Sequence, residues 1–156
     1  MQTLIITLGL LLLIFIQTIL PVKCDLLLIS IIVLSLRKND NETETLSYSF
    51  FGGFILDALS GFSFLNTLSK TIAAVVLNFL RPIMAFDEST LVYLLVLGLT
   101  PASYLIEVLF SSFFYHHPFG IMALIFGMLK LLLVNLLFTP VVCWLWEKVA
   151  RISERF

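Results

Sequence analysis

Charge is what this chain has least of. Asp, Glu, Lys and Arg together make up 12% of its 156 residues, about half the share of an ordinary soluble domain. AVILMFWYC make up 60% and the mean hydropathy is +1.10, so a surface built from these residues has no stable place in water. A sizeable extramembrane domain is excluded as well, because no polar segment is long enough to enclose a core of its own. The net charge of −1 offers no basic field for nucleic acid and no acidic solvating tail. Two cysteines, Cys24 and Cys143, stand at opposite ends of the chain. They form neither a disulfide framework nor metal-ligand spacing, and they read as small apolar fillers. There is no HExxH, no GxSxG, no GxxxxGK[ST] and no aspartate-rich array for Mg²⁺ and a phosphorylated lipid, so nothing points to catalysis or to a cofactor.

What is present is apolar sequence in blocks, and the bilayer is the implied solvent. A helix needs about 20 apolar residues to cross the roughly 30 Å hydrocarbon layer. Six segments approach that: Thr3 to Leu20, Val22 to Leu36, Leu46 to Leu59, Leu65 to Leu80, Thr90 to Phe114 and Phe119 to Trp146. The first lacks the basic leader and small-x-small site of a cleaved signal peptide and reads as an uncleaved helix. The second follows Pro21, suited to a first helical turn, and covers only about 22 Å, which leaves three alternatives: it is buried among other helices, it thins the bilayer, or it pairs with the first as a hairpin that does not fully span. The run Arg37 to Glu44 is the clearest linker. The expected fold is all-α: a single polytopic domain over 1–156 with about six transmembrane helices.

Orientation follows from Lys and Arg near the ends of the spans. Arg37, Lys38, Arg81, Lys148, Arg151 and Arg155 all fall on the side of the N-terminus, against Lys23 on the other. Both termini are therefore expected in the cytoplasm, with Trp144 and Trp146 at the cytoplasmic interface.

Four charges lie within spans, where each costs at least about 2.5–3.5 kcal/mol at a helix centre and needs a partner or a purpose. They are Asp57, Lys70, Glu107 and Lys130. Helices joined by a short loop are usually neighbours, so Asp57 is expected to face Lys70, and Glu107 to face Lys130, as ion pairs that hold the bundle in register. Pro101 and Pro140 each follow a threonine whose hydroxyl is suited to a freed carbonyl. His116-His117 lack a third ligand nearby and read as loop. Ser49, Gly52, Gly53 and Ala58 form a small-residue face on which another backbone can approach closely.

The stretch from Phe50 to Gly61, with Gly52-Gly53 leading into Asp57-Ala58-Leu59-Ser60-Gly61, resembles the MreD family of bacterial rod-shape-determining membrane proteins, in which a glycine-containing apolar helix leads into an Asp-x-x-Ser-Gly turn. The opening helix, the Pro21 to Asp25 junction and the short second helix ending at Arg37-Lys38 follow the same order. The likeness covers roughly residues 1 to 80 in detail and hydropathy afterwards. One departure is visible: where the family commonly continues Pro-Leu-Gly, this chain reads Phe62-Ser63-Phe64. The resemblance implies a non-enzymatic scaffold of the cell-elongation machinery in the bacterial plasma membrane. It would bind the bitopic protein MreC and through it link MreB to RodA and a class B penicillin-binding protein. It also implies a likeness of fold to the substrate-binding subunits of ECF-type transporters, and hence an alternative: a pocket for a vitamin-like ligand contacted by the four intramembrane charges.

Overall fold

The computed structural model describes residues 2–21, 23–36, 42–61, 64–82, 88–115 and 120–153. Among these, the chain forms six α-helices and no strand: α1 (Gln2–Ile19), α2 (Leu26–Leu36), α3 (Glu42–Ser60), α4 (Leu65–Leu80), α5 (Glu88–Tyr115) and α6 (Ile121–Ser153). Segments Ser89–Phe114 and Ile121–Arg151 are long and apolar enough to cross a bilayer, while α1, α2 and α4 are shorter apolar helices. Some predicted boundaries shift. The expected linker loses Glu42, Thr43 and Glu44 to the first turn of α3, and α6 runs on past Trp146 to Ser153. His116-His117 and Arg37-Lys38 lie outside the described residues.

The helices are arranged around α2. It packs against α1, α3, α4, α5 and α6, and those five close a ring in the order α1, α3, α4, α5, α6 and back to α1. The composition of α2 explains its place. Apart from two serines it is Leu, Ile and Val on every side, and a helix apolar all round has no face to offer water; every residue from Leu26 to Ile32 is buried. Its serines are satisfied within the helix, with Ser30 Oγ donating to the Leu26 carbonyl at 2.7 Å and Ser35 Oγ to that of Ile32 at 2.8 Å. At 11 residues α2 is about 16 Å long, against about 27 Å for α1. The central helix therefore fills only part of the ring's depth.

Pro21 does not open α2. The helix starts at Leu26 with Asp25 as its N-cap: Asp25 Oδ1 accepts the Leu28 N–H at 3.1 Å, and the Asp25 carbonyl accepts that of Ile29 at 3.2 Å. An aspartate supplies the acceptor that a buried first turn requires, which proline cannot.

Ring helices bury one stripe and expose another that is equally apolar. In α1, Ile6, Leu10, Leu13 and Ile14 face inward while Leu4, Leu8, Leu12 and Phe15 are exposed. Trp146 is fully buried, with its indole lying on Gly9, because the side chain faces α1 where no Cβ stands in its way. Trp144 is the exposed one, and Lys148 Nζ sits 4.3 Å from its ring centroid, a cation–π contact.

The α3–α4 contact depends on Gly53. A Cβ there would come within 2.6 Å of Thr67 Cα, which is backbone and cannot give way; at Gly52 it would meet the Leu27 side chain. Gly53→Ala is expected to lower unfolding stability in detergent by about 1–3 kcal/mol as overpacking. Gly98→Ala, with open space around its Cβ, is expected to leave stability unchanged or slightly raised. Thermal unfolding of the two variants checks this.

Candidate functional site

The polar residues that interrupt these apolar helices converge at one level of the ring, around the N-terminus of α2. Lys70, on the second turn of α4, is 1% exposed. Its Nζ lies 2.5 Å from Asp25 Oδ2 and 2.9 Å from Glu107 Oε1, and it donates to Ser103 Oγ at 3.0 Å. Ser69 Oγ donates to the same Glu107 oxygen at 3.0 Å. One cation thus holds two carboxylates from two other helices. The expected pairings are corrected by this geometry: Lys70 faces Asp25 and Glu107 rather than Asp57, and Lys130 faces no carboxylate among the described residues. The sequential-neighbour argument fails because α2 sits inside the ring, so its Asp25 reaches α4 and α5 at once.

Asp25 is fixed from a third direction. Its N–H donates to Asn135 Oδ1 at 2.8 Å, and Asn135 Nδ2 donates to Thr100 Oγ1 at 3.1 Å. Thr139 Oγ1 donates to the Asn135 carbonyl at 2.7 Å. The threonines of both Thr-Pro pairs therefore meet at one buried asparagine; Thr139 serves the carbonyl beside the one freed by Pro140. On the α1 side, Gln17 Oε1 accepts the Leu27 N–H at 3.1 Å. Asp25, Gln17 and Asn135 leave the start of α2 satisfied although it is buried in apolar surroundings.

Asp57 has a different task. Its carboxylate caps α4: Oδ1 accepts the Asn66 N–H and Nδ2 at 3.0 Å each, and Oδ2 accepts the Thr67 N–H at 2.8 Å and Thr67 Oγ1 at 2.6 Å. Phe64, at the N-cap position itself, is left-handed (φ 55°) and supplies no side-chain cap, so the acceptor arrives from the preceding helix, where it also meets the positive end of the α4 dipole. Ser60 Oγ donates to the Leu56 carbonyl at 2.6 Å, and Gly61 takes φ +105°, a conformation other residues rarely adopt. The Asp-x-x-Ser-Gly segment thus carries the cap of the next helix at Asp57 and the stop of its own helix at Ser60-Gly61.

Above the Asp25–Lys70–Glu107 network the ring is open. A cavity of about 620 Å³ is bordered by residues of all five ring helices and by the segment joining α1 to α2. Asp25 and Glu107 lie at its base, and Lys23 and Lys130 line it with Gln17, Asn66 and Tyr104. The ends of α1 and α3, at Gln17, Thr18, Leu59 and Ser60, border this cavity together with Glu107 and Lys130. Past that level α5 continues for two turns to Tyr115 and α6 has already run more than two turns from Ile121. Past Glu107, α5 continues for about 12 Å to Tyr115, packed against α6.

Of the residues singled out in the sequence, Lys70 and Glu107 meet in the network, Lys130 lines the cavity, and Gly52, Gly53, Asp57, Ser60 and Gly61 form the α3–α4 corner. Sequence reasoning missed Asp25, Asn135, Ser69 and Ser103 as network members. The available signal was a polar residue at the head of, or within, an otherwise apolar helix. Comparison of the chain with protein-family models, with curated proteins and with solved structures finds no match.

Removing Lys70 leaves Asp25 buried without its cation, which costs about 3–5 kcal/mol where a buried pair is broken from one side. Lys70→Met is expected to lose that much stability, and the double variant Asp25→Asn/Lys70→Met to recover more than half of it. Unfolding of the single and double variants in detergent checks the coupling; equal losses in both would contradict it. Asp57→Ala, which strips the cap from α4, is expected to cost about 2 kcal/mol, at the upper end for an N-cap.

Proposed function

We propose that this protein is a non-enzymatic scaffold of the bacterial cell-elongation machinery, similar to MreD. In this reading all six helices lie in the plasma membrane with both termini cytoplasmic. The protein binds an MreC-like bitopic partner and bears through it on MreB, RodA and a class B penicillin-binding protein.

The observation that carries the reading is the α5–α6 hairpin. From Val108 to Leu129 there is no Asp, Glu, Lys or Arg, and among the described residues of this stretch Leu109, Phe110, Phe113, Phe114, Ile121, Met122 and Phe126 are exposed. Leu105, Leu109 and Phe113 follow one another at four-residue spacing, so they share a face of α5. Phe113 is 76% exposed, and Met122 and Ile125 on α6 are exposed as well. An apolar surface that the protein's own fold leaves unused is open to a partner helix as well as to lipid, and a single-span helix with its adjoining apolar segment is a partner of matching chemistry. The local structure of the Asp-x-x-Ser-Gly turn supports the same reading, since it accounts for the motif as a device of fold.

The alternative, a transporter subunit whose four intramembrane charges hold a vitamin-like ligand, is less well supported. Asp57 caps α4, and Lys70 is held beneath two carboxylates. Only Glu107 and Lys130 of the four border the cavity.

Co-purification with the MreC-like partner tests the proposal. Phe113→Ala/Met122→Ala, at normal abundance, is expected to lose most of the recovered partner, while Phe15→Ala on the exposed face of α1 keeps it. Undiminished recovery with the hairpin variant would remove the basis of the reading.

A further inference from the structure

The cavity has a charge arrangement that the network beneath it does not use. Both carboxylates at its base are engaged by Lys70, which lies underneath. Lys23 and Lys130 line the walls, both exposed, and neither has a carboxylate partner among the described residues. Counting Asp25 and Glu107 as −1 each and Lys23, Lys70 and Lys130 as +1 each leaves the group at +1. Glu107 takes all three of its hydrogen bonds on Oε1, from Ser69, Lys70 and Ser103. Oε2 accepts none among the described residues, in a side chain 29% exposed. The cavity therefore presents two ammonium groups without a carboxylate partner among the described residues, a net charge of +1, and one unused acceptor to whatever enters it.

Its shape adds a second property. One helical turn above Glu107 and Gly127, toward the hairpin tip, α5 and α6 carry Ser111 and Ala123. Around them the hairpin is apolar, with Phe110, Phe114, Met122 and Phe126 exposed, so the polar cavity adjoins an apolar surface on the same two helices. A ligand with an anionic head and an apolar tail meets both regions at once. A volume of about 620 Å³ falls in the range of small-ligand sites, roughly 300–1,000 Å³.

We infer that this cavity is a head-group site for an anionic phospholipid. The phosphate lies with the Lys23 and Lys130 ammonium groups, a head-group hydroxyl donates to Glu107 Oε2, and an acyl chain lies on the exposed apolar surface of the hairpin. The inference rests on the membrane placement proposed above and is independent of the partner. The single negative charge of the bound lipid would balance the net +1 of the group, and the lipid would fill the depth of the ring that the short α2 leaves open.

The test is a binding titration of the full chain in an uncharged detergent, using dilauroyl phosphatidylglycerol, dilauroylglycerol and sn-glycerol 3-phosphate as probes. Phosphatidylglycerol is expected to bind at least about tenfold more tightly than either of the others, and Lys130→Gln or Lys23→Gln to weaken it about tenfold. Lys148→Gln, remote from the cavity, is expected to leave binding unchanged. Because Lys23, Lys130 and Lys148 are all exposed, the variants report on binding rather than on folding. Equal affinity for phosphatidylglycerol and dilauroylglycerol, or no effect of either cavity lysine, overturns the proposal. Glycerol 3-phosphate binding as tightly as the lipid overturns the lipid source and assigns the site to a soluble phosphate ester. Loss of partner recovery in the hairpin variant would not bear on this result, nor would lipid binding rescue the scaffold reading.

Discussion

The rest of the structure depends on one ammonium group. Lys70 Nζ lies among Asp25, Glu107 and Ser103, which ties the inner helix α2 to two members of the ring. Apolar packing alone would let a helix such as α2, nearly featureless Leu, Ile and Val, slide or rotate among its neighbours at little cost, since one leucine face resembles another. A buried ion pair is poor evidence of net stability, because desolvation offsets most of its attraction. Its value here is positional. Only one depth and one rotation of α2 bring Asp25 onto Lys70 while its N–H meets Asn135.

Carboxylates serve the same end twice. Asp25 caps α2 from its own N-cap position, and Asp57 caps α4 from the end of the preceding helix. Each helix start would otherwise present unpaired N–H groups to an apolar interior, where each costs free energy comparable to a lost hydrogen bond. A chain with so few acids places two of them where backbone donors are concentrated. The consequence is a polar layer at one level of the ring, and the cavity lies directly above it.

The α3–α4 corner was legible in the sequence because its parts are local. Gly52-Gly53, Asp57, Ser60 and Gly61 fall within ten residues, and helix stops and close approaches are written in short patterns. The network was not legible for the opposite reason. Asp25 and Lys70 are separated by more than forty positions, and Asn135 is 110 residues from Asp25. The expectation that adjacent helices share ion pairs assumed a row of hairpins. Enclosure of α2 replaces that row with a ring and hub, so the acid nearest Lys70 belongs to a helix two elements away. Trp146 shows the same limit: its burial is decided by a glycine on α1.

The sequence by itself determined the class, six apolar helices with little charge, because hydrophobic content and period are properties of each segment alone. It also determined that every charge within a helix would need a reason. Tertiary structure alone decided which helix went inside, which carboxylates share Lys70, and which lysines were left facing an open cavity. Ion pairing and enclosure are relations between distant segments, and they are settled only when the ring closes.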